Sequence, residues 1–405
     1  MTRVVAKFGG TSVGSPERIR HAAKLIRASA DAGEHPIVVV SAMAGETDRI
    51  LGLAGEFGAG LGDVETDVAL AAGEQVSAAL MALALREEGL KAQSVMGWQA
   101  PVVTTGPSGS ASIADLGTAV FEALLTEGVV PVLAGYQGID AGARIQTLGR
   151  GGTDLSAAAL AAALGARCDI YTDVDGVYTT DPRIEPAARR LDAVSHDEML
   201  ELAAQGAKVL QPRSVEFAKA RGVPMRVLSS FAPPGEATGT DVVAGDPIAE
   251  KRLVSGIAYA RGQARIALLG QADAAQAAPA VFEALAKAEV GVDMIVQAHA
   301  RTPGTANLEF SVAHRDLQRA LEALDGLGAA AEIRSETGLA KVSVVGAGLR
   351  QRADVARSLF GVLAASDIEV KVLATSEIKI SALIENDAVE RAVRALHSAY
   401  GLDQV

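Results

Sequence analysis

The chain has 405 residues, nearly half of them hydrophobic and few of them aromatic, with a single cysteine and a formal net charge of −12. That length accommodates about two or three domains, and an acidic balance without a basic run argues against nucleic acid or an anionic membrane as a partner. Cys168 alone rules out an intrachain disulfide framework and fits a reducing compartment. No apolar run is read as approaching the roughly 20 residues that cross a bilayer, and no signal pattern opens the chain, so a cytoplasmic protein is expected.

The apolar content is mostly Ala, Val, Leu and Ile, which suits buried parallel strands covered by Ala-rich helices. Val4-Val5-Ala6 reads as the first strand, and Lys7-Phe8-Gly9-Gly10-Thr11-Ser12 follows it. Two glycines there allow a sharp turn and a close backbone approach, just ahead of a helix pattern at Pro16-Glu17-Arg18-Ile19-Arg20. Ser15 stands where a Walker loop needs lysine, and the dinucleotide glycine order is absent. On this segment alone, a phosphate cradle and a ligand-free turn both remain open. Ile37 to Val40 reads as a second strand, with Ser41 and the polar loop Met43 to Asp48 after it, and Glu74 is read at the start of a long helix. Further strands are expected at Val129 to Leu133 and Asp169 to Tyr171, and helices at Val68 to Glu88, Leu116 to Thr126 and Leu155 to Leu164. Strands alternating with helices give a mostly parallel sheet covered on both faces, with ligands beyond the strands' carboxyl ends.

Thr147 to Asp154 is a second glycine loop, in which Thr153 or Asp154 is placed to cap a helix. Its Arg150 fork suits a carboxylate, although a capped helix with a solvated arginine gives the same pattern. Tyr171 to Arg183 leaves a strand and turns at Asp175-Gly176; it reads as the wall of a nucleotide site or as an ordinary hairpin. Lys208 is read in a helix near Arg213. No metal-binding cluster of His or Cys and no nucleophile elbow is apparent. A Pro/Gly-rich stretch at 233–247 marks a domain boundary. Beyond it Arg265 to Gly270 resembles Lys341 to Gly346, and the order β-α-β-β-α-β is read twice, as two ferredoxin-like units. Such units are either ligand-binding or plain interaction modules.

Taken together, Lys7 to Ser12, Val39 to Met43, Ala72 to Glu74, Thr147 to Asp154, Tyr171 to Arg183 and Ser195 to Lys208 make the chain resemble an aspartate kinase (aspartokinase) along essentially its whole length. The resemblance implies an amino-acid-kinase α/β fold over residues 1–245, followed by ACT domains at 246–330 and 331–405. It implies phosphorylation of the β-carboxylate of L-aspartate by ATP with Mg²⁺, the first step toward lysine, threonine, methionine and diaminopimelate. Lys7, Asp154 and Lys208 would then be catalytic, Asp154 orienting the two lysines. Lys7, Phe8, Gly9, Gly10, Ser41, Thr172, Asp173, Tyr178, Asp181, Pro182 and Arg183 would line the ATP site. Thr47, Glu74, Arg150, Gly151, Gly152 and Thr153 would hold aspartate, with Arg150 on its α-carboxylate and Glu74 near its ammonium.

The ACT pair implies lysine or threonine as effectors and a homodimer or higher oligomer through the ACT units. Asp273, Gln297 and Ser376 match effector positions. Ala274-Ala275-Gln276, Ala298, Arg352-Ala353-Asp354 and Glu369 depart from the family pattern. Lost turn glycines remove close-approach amides, so weakened or altered feedback is expected.

Overall fold

The computed structural model describes residues 2–204, 209–236, 238–245, 253–272, 274–299, 305–325, 327, 332–349 and 352–404. They form two compact units: Met1–Val177 with Arg190–Ala204 and Lys208–Ile248, and Tyr178–Arg189 with Gln205–Ala207 and Ala249–Val405.

In the first unit the elements run β1 (Arg3–Phe8), α1 (Pro16–Asp31), β2 (His35–Val40), α2 (Glu46–Gly55), α3 (Val64–Glu87), β3 (Ala92–Val95), β4 (Val102–Thr105), β5 (Ser112–Leu116), α4 (Ala119–Thr126), β6 (Val130–Ala134), β7 (Gln137–Ile139) and β8 (Ile145–Thr147). They continue with α5 (Gly152–Leu164), β9 (Arg167–Thr172), β10 (Ala193–Ser195), α6 (His196–Ala204), α7 (Pro212–Arg221), β11 (Met225–Ser229) and β12 (Gly239–Val243). The main sheet has the order β10-β12-β11-β9-β1-β2-β6-β3 and is parallel except between β11 and β12. A smaller sheet, β5-β4-β7-β8, leads the chain into α5.

Period-two alternation assigns the faces of β1. Ala6 and Phe8 join the core made by Ile19, Ala22 and Ile26 of α1 and Ala78, Met81 and Leu85 of α3. Lys7, between them, points to the other face, where α5 lies against β1. In register Lys7 sits between Val39 and Ile170, in the middle of the sheet. The α1 helix begins where Pro16 supplies the first helical φ and the Ser15 hydroxyl accepts from the Arg18 N–H.

Several local expectations shift. Leu116 closes β5, and the following helix starts only at Ala119. Glu74 lies in the middle of α3, not at its start. The α3 helix also overturns the reading that no segment is apolar and long enough to cross a membrane: it meets that length and composition, with 56% of its most apolar window buried inside the protein, as a core helix would be. The helix α5 is entered through Gly151 in the left-handed region, without a side-chain cap, so Thr153 and Asp154 occupy its first turn. The residue before α7, Gln211, is its N-cap, so the described helix starts beyond Lys208.

The second unit comprises β13 (Gly256–Ala272), α8 (Ala274–Lys287), β14 (Val292–His299), β15 (Thr305–Ala313), α9 (Leu317–Leu324), β16 (Glu332–Val345), α10 (Ala353–Ala365), β17 (Val372–Thr375), β18 (Lys379–Glu385) and α11 (Val389–Ala399). All six strands join one sheet, β14-β15-β13-β16-β18-β17. The long strands β13 and β16 belong to both repeats. Leu268 and Leu269 of β13 pair with Ile333 and Glu332, which closes the first repeat, while Gly256 to Arg261 pair with Val345 to Ala340, which closes the second. The register shifts between these halves, around Gly262. Segment 178–189 packs into the same unit. Ile184 joins its core, the Ile257 N–H donates to the Thr179 carbonyl at 2.7 Å, and the Thr179 hydroxyl meets His397 Nε2 at 2.9 Å.

Candidate active site

Beyond the carboxyl edge of the main sheet the chain turns directly after β1, β2 and β9. The Lys7 ammonium lies 2.6 Å from Asp154 Oδ1, and both side chains are about nine-tenths buried. The sequence therefore places a cation on the central strand and its counter-charge in the first turn of α5, where the helix dipole also favours an anion. A buried pair of this kind survives only when both partners stay, since removing one strands the other charge at a cost of about 3–5 kcal/mol.

Gly9 caps a short 3-10 helix, Gly10–Val13, in extended conformation. A Cβ on Gly10 would approach the Ala42 carbonyl to 3.0 Å, so a side chain there would wedge the first loop away from the second. The N–H of the same Ala42 donates to Glu74 Oε1 at 3.0 Å. Ala42 thus joins the glycine turn, the loop after β2 and the middle of α3. Burial pushes the Glu74 carboxyl up to about 7, against the Ala42 hydrogen bond that lowers it. Its second oxygen, Oε2, is buried with no hydrogen-bond partner. An unsatisfied buried carboxylate oxygen calls for an external donor. Ser41 and Thr47 flank this point and are half-buried, and the Ser41 N–H donates to the Phe8 carbonyl at 3.1 Å.

The loop after β8 is clamped from two sides. Asp67 of α3, fully buried, accepts from the Thr147 hydroxyl at 2.6 Å and from the Thr147 and Gly109 N–H groups at 3.0 Å each. Arg213 of α7 donates to the Leu148 carbonyl at 2.7 Å and the Ala111 carbonyl at 3.1 Å. Gly151 has φ +75°, and a Cβ there would fall 2.2 Å from Gln211 Cγ, so no other residue fits. With its base fixed, the loop holds Arg150 exposed, while Gly152, Thr153 and Asp154 follow in or near the buried floor. Tyr136, at φ +67°, donates its N–H to Ser156 Oγ of α5 and shares a hydrogen bond with Thr147.

Thr172 and Asp173 stand at the end of β9, where the Thr172 hydroxyl donates to Asp173 and the Ser230 N–H donates to the Thr172 carbonyl at 2.8 Å. Ser12 bonds Ser230, and Arg18 lies 3.7 Å over the Phe231 ring. Phe8 and Tyr171 stack at 4.6 Å. The structure thus brings Lys7, Phe8, Gly9, Gly10, Ser41, Thr47, Glu74, the Arg150 loop, Asp154, Thr172 and Asp173 to one edge of the first unit.

Tyr178, Asp181, Pro182 and Arg183 fall in the second unit. There Arg183 holds the Asp181 carboxyl down at about 2, and Tyr259 donates its hydroxyl to Asp181 at 2.9 Å. Lys208 and Asp273 lie outside the described residues. Gln297 is exposed on β14, and Ser376 is exposed in the turn between β17 and β18. Sequence reading missed Asp67, Tyr136, Ser230 and the Arg18–Phe231 contact. Asp67 looks like any acid in a helix's first turn, and only the fold shows what it clamps.

Residues 2–229 match the amino acid kinase family, and residues 342–400 match an ACT domain. The chain belongs to the amino acid kinase family. An aspartokinase of Pseudomonas aeruginosa is 45% identical, with 100% of this chain and 98% of that protein aligned, and an aspartokinase of Geobacillus stearothermophilus is 44% identical over 98% and 97%. The crystal structure of E. coli aspartokinase III in complex with aspartate and ADP superposes with a TM-score of 0.80 at 29% identity, covering 98% of this chain and 99% of that one. Within the family, the chain sits among the aspartokinases.

The Asp67 clamp gives a direct expectation. Asp67→Ala should lower kinase kcat/KM by about ten- to a hundredfold, as the loop loses three buried acceptor contacts. Asp67→Asn keeps an acceptor for the two N–H groups and should recover most of that loss; steady-state kinetics on both variants checks it.

Proposed function

We infer that the protein is an aspartate kinase, which transfers the γ-phosphoryl group of ATP to the β-carboxylate of L-aspartate and releases 4-phospho-L-aspartate and ADP. A β-carboxylate oxygen forms the new bond to phosphorus as the bond to the β–γ bridging oxygen breaks. A carboxylate is already nucleophilic at neutral pH, so no general base is needed, and catalysis is positioning plus charge stabilisation. The observation that carries this reading is the unsatisfied Glu74 oxygen in the same loop assembly as the Lys7–Asp154 pair. The first suits a substrate ammonium, and the second suits a phosphoryl group in transfer.

In this reading Asp154 holds Lys7 on the transferring phosphate, Arg150 takes the α-carboxylate in its planar fork, and Thr153 and Thr47 complete the aspartate pocket. Lys208 supplies a second cation. Ser41, Thr172 and Asp173 face the nucleotide. Among the described residues no group of three His, Cys, Asp or Glu side chains could cage a metal ion. A Mg²⁺ that arrives on the nucleotide fits this donor set, because phosphate oxygens and water supply most of its ligands. When bound, it neutralises phosphate charge.

An ATP-dependent hydroxamate assay with L-aspartate tests the assignment. Lys7→Ala should lose about a hundredfold or more in turnover while keeping a folded circular dichroism spectrum; near-normal turnover would refute the role of Lys7. The Glu74 carboxyl must be ionised to receive an ammonium. The KM for L-aspartate should therefore fall as pH rises through about 7, and Glu74→Gln should flatten that dependence and raise KM. For regulation we propose weakened or altered feedback, supported by the departures at Ala274 to Gln276, Ala298, Arg352 to Asp354 and Glu369. Lysine and threonine added together below millimolar concentration should leave most of the activity, and strong inhibition in that assay would overturn this.

A further inference from the structure

Arg18 of α1 lies against the loop that follows β11. One amino group of its guanidinium donates to the Ser230 carbonyl and, at 3.3 Å, to the Ser230 hydroxyl, while the guanidinium stands 3.7 Å over the Phe231 ring. Its Nε is buried without a hydrogen-bond partner, and burial lowers its pKa with no carboxylate acting against it. A cation partly desolvated without a counter-charge adds little to stability, which leaves its hold on Ser230 as its contribution. One turn further along the same face of α1, His21 Nε2 meets the Ala232 carbonyl at 3.0 Å. Ser230 is fully buried and acts as a junction. Its N–H donates to the Thr172 carbonyl at the end of β9 at 2.8 Å, and its hydroxyl accepts from the Ser12 hydroxyl at 2.8 Å. Ser12, also fully buried, belongs to the short helix Gly10–Val13 that completes the first glycine turn. Toward β2 that turn is held by backbone, the Ala44 N–H donating to the Gly10 carbonyl at 3.1 Å; toward β11 it is held by the Ser12 side chain.

We propose that Arg18 is a positioning residue for phosphoryl transfer: acting through Ser230 and Ser12, it fixes the Gly9-Gly10 turn against the carboxyl end of β9. This rests on the reading that the turn faces the nucleotide phosphates, with Thr172 and Asp173 beside it. Arg18 itself touches no reacting atom. It locks the loop that ties two walls of the nucleotide site together, and a displacement of about 1 Å in such a wall costs on the order of a hundredfold in rate. The planar guanidinium suits the task, since its face lies on Phe231 while its edge reaches the carbonyl and the hydroxyl of Ser230. A lysine at this position keeps the charge and one donor but loses the flat contact. The aspartate side of the site is held by other means, Glu74 on Ala42 and Asp67 on the Arg150 loop, so the effect of Arg18 falls on the nucleotide.

Steady-state kinetics of the full-length chain, with ATP and L-aspartate varied separately, tests this. Arg18→Met should raise the KM for ATP about tenfold and leave the KM for L-aspartate within about twofold of the parent. Arg18→Lys should recover part of the loss. Ser12→Ala, a small change at the other end of the relay, should raise the KM for ATP in the same direction. Because either substitution breaks one chain of contacts, Arg18→Met/Ser12→Ala should lose no more kcat/KM for ATP than Arg18→Met alone. Equal changes in the two KM values, additive losses in the double variant, or a lowered kcat and thermal unfolding midpoint with the KM for ATP unchanged would each reduce Arg18 to a structural staple and overturn the proposal. Gly10→Val separates this from the reading beneath it, since a side chain there meets the Ala42 carbonyl. If Gly10→Val raises the KM for ATP and the Arg18 and Ser12 variants do not, the relay alone is wrong; if Gly10→Val also leaves it unchanged, the turn does not face the nucleotide and both fall.

Discussion

The buried pair of Lys7 and Asp154 is the constraint around which the first unit is arranged. A lysine buried in the middle of a parallel sheet is tolerable only with a counter-charge held within contact. The sheet supplies the lysine from β1 and α5 supplies the aspartate, so the junction of strand, glycine loop and helix must be exact to a fraction of an ångström. Everything that fixes α5, from Tyr136 on Ser156 to the Gln211 side chain filling the space beside Gly151, serves that alignment.

The second organising element is α3. Asp67 and Glu74 are seven residues apart, two turns along one face, and each reaches a different loop. Asp67 is fully satisfied, with three donors on two oxygens. Glu74 has one donor on one oxygen and none on the other. The contrast separates a carboxylate spent on fixing a loop from one with an oxygen left unpartnered, and burial is what raises the Glu74 carboxyl.

Much of this was legible from the residue order, for physical reasons. The central strands β1, β2 and β6 are mostly apolar because both faces are covered, and Gly9 and Gly10 follow β1 because the backbone must turn at the carboxyl edge of the sheet. The strands β4, β5, β7 and β8 were not legible: they are three to five residues long, and runs such as Gln137–Ile139 carry no periodic signal. Asp67 was invisible because a helix start accepts any acid, and the Arg150 loop could be read without revealing its clamp. Segment 178–189 was legible as a turn, yet only three-dimensional packing shows Ile184 in the core of the second unit. The sharing of β13 and β16 was equally hidden, since the residue order does not show which strands pair.

That sharing has a consequence for any shortened form of the chain. The strand that completes the last repeat is donated by residues 256–261, ahead of the first repeat, and the strand that completes the first is donated by residues 332–336. The two repeats are interleaved like the links of a clasp, so neither can be excised as a self-sufficient module. A product begun by translation or proteolysis anywhere after Gly256 would expose an orphaned sheet edge in the C-terminal repeat. A fragment that retains Gly256 to Arg261 would keep both repeats closed.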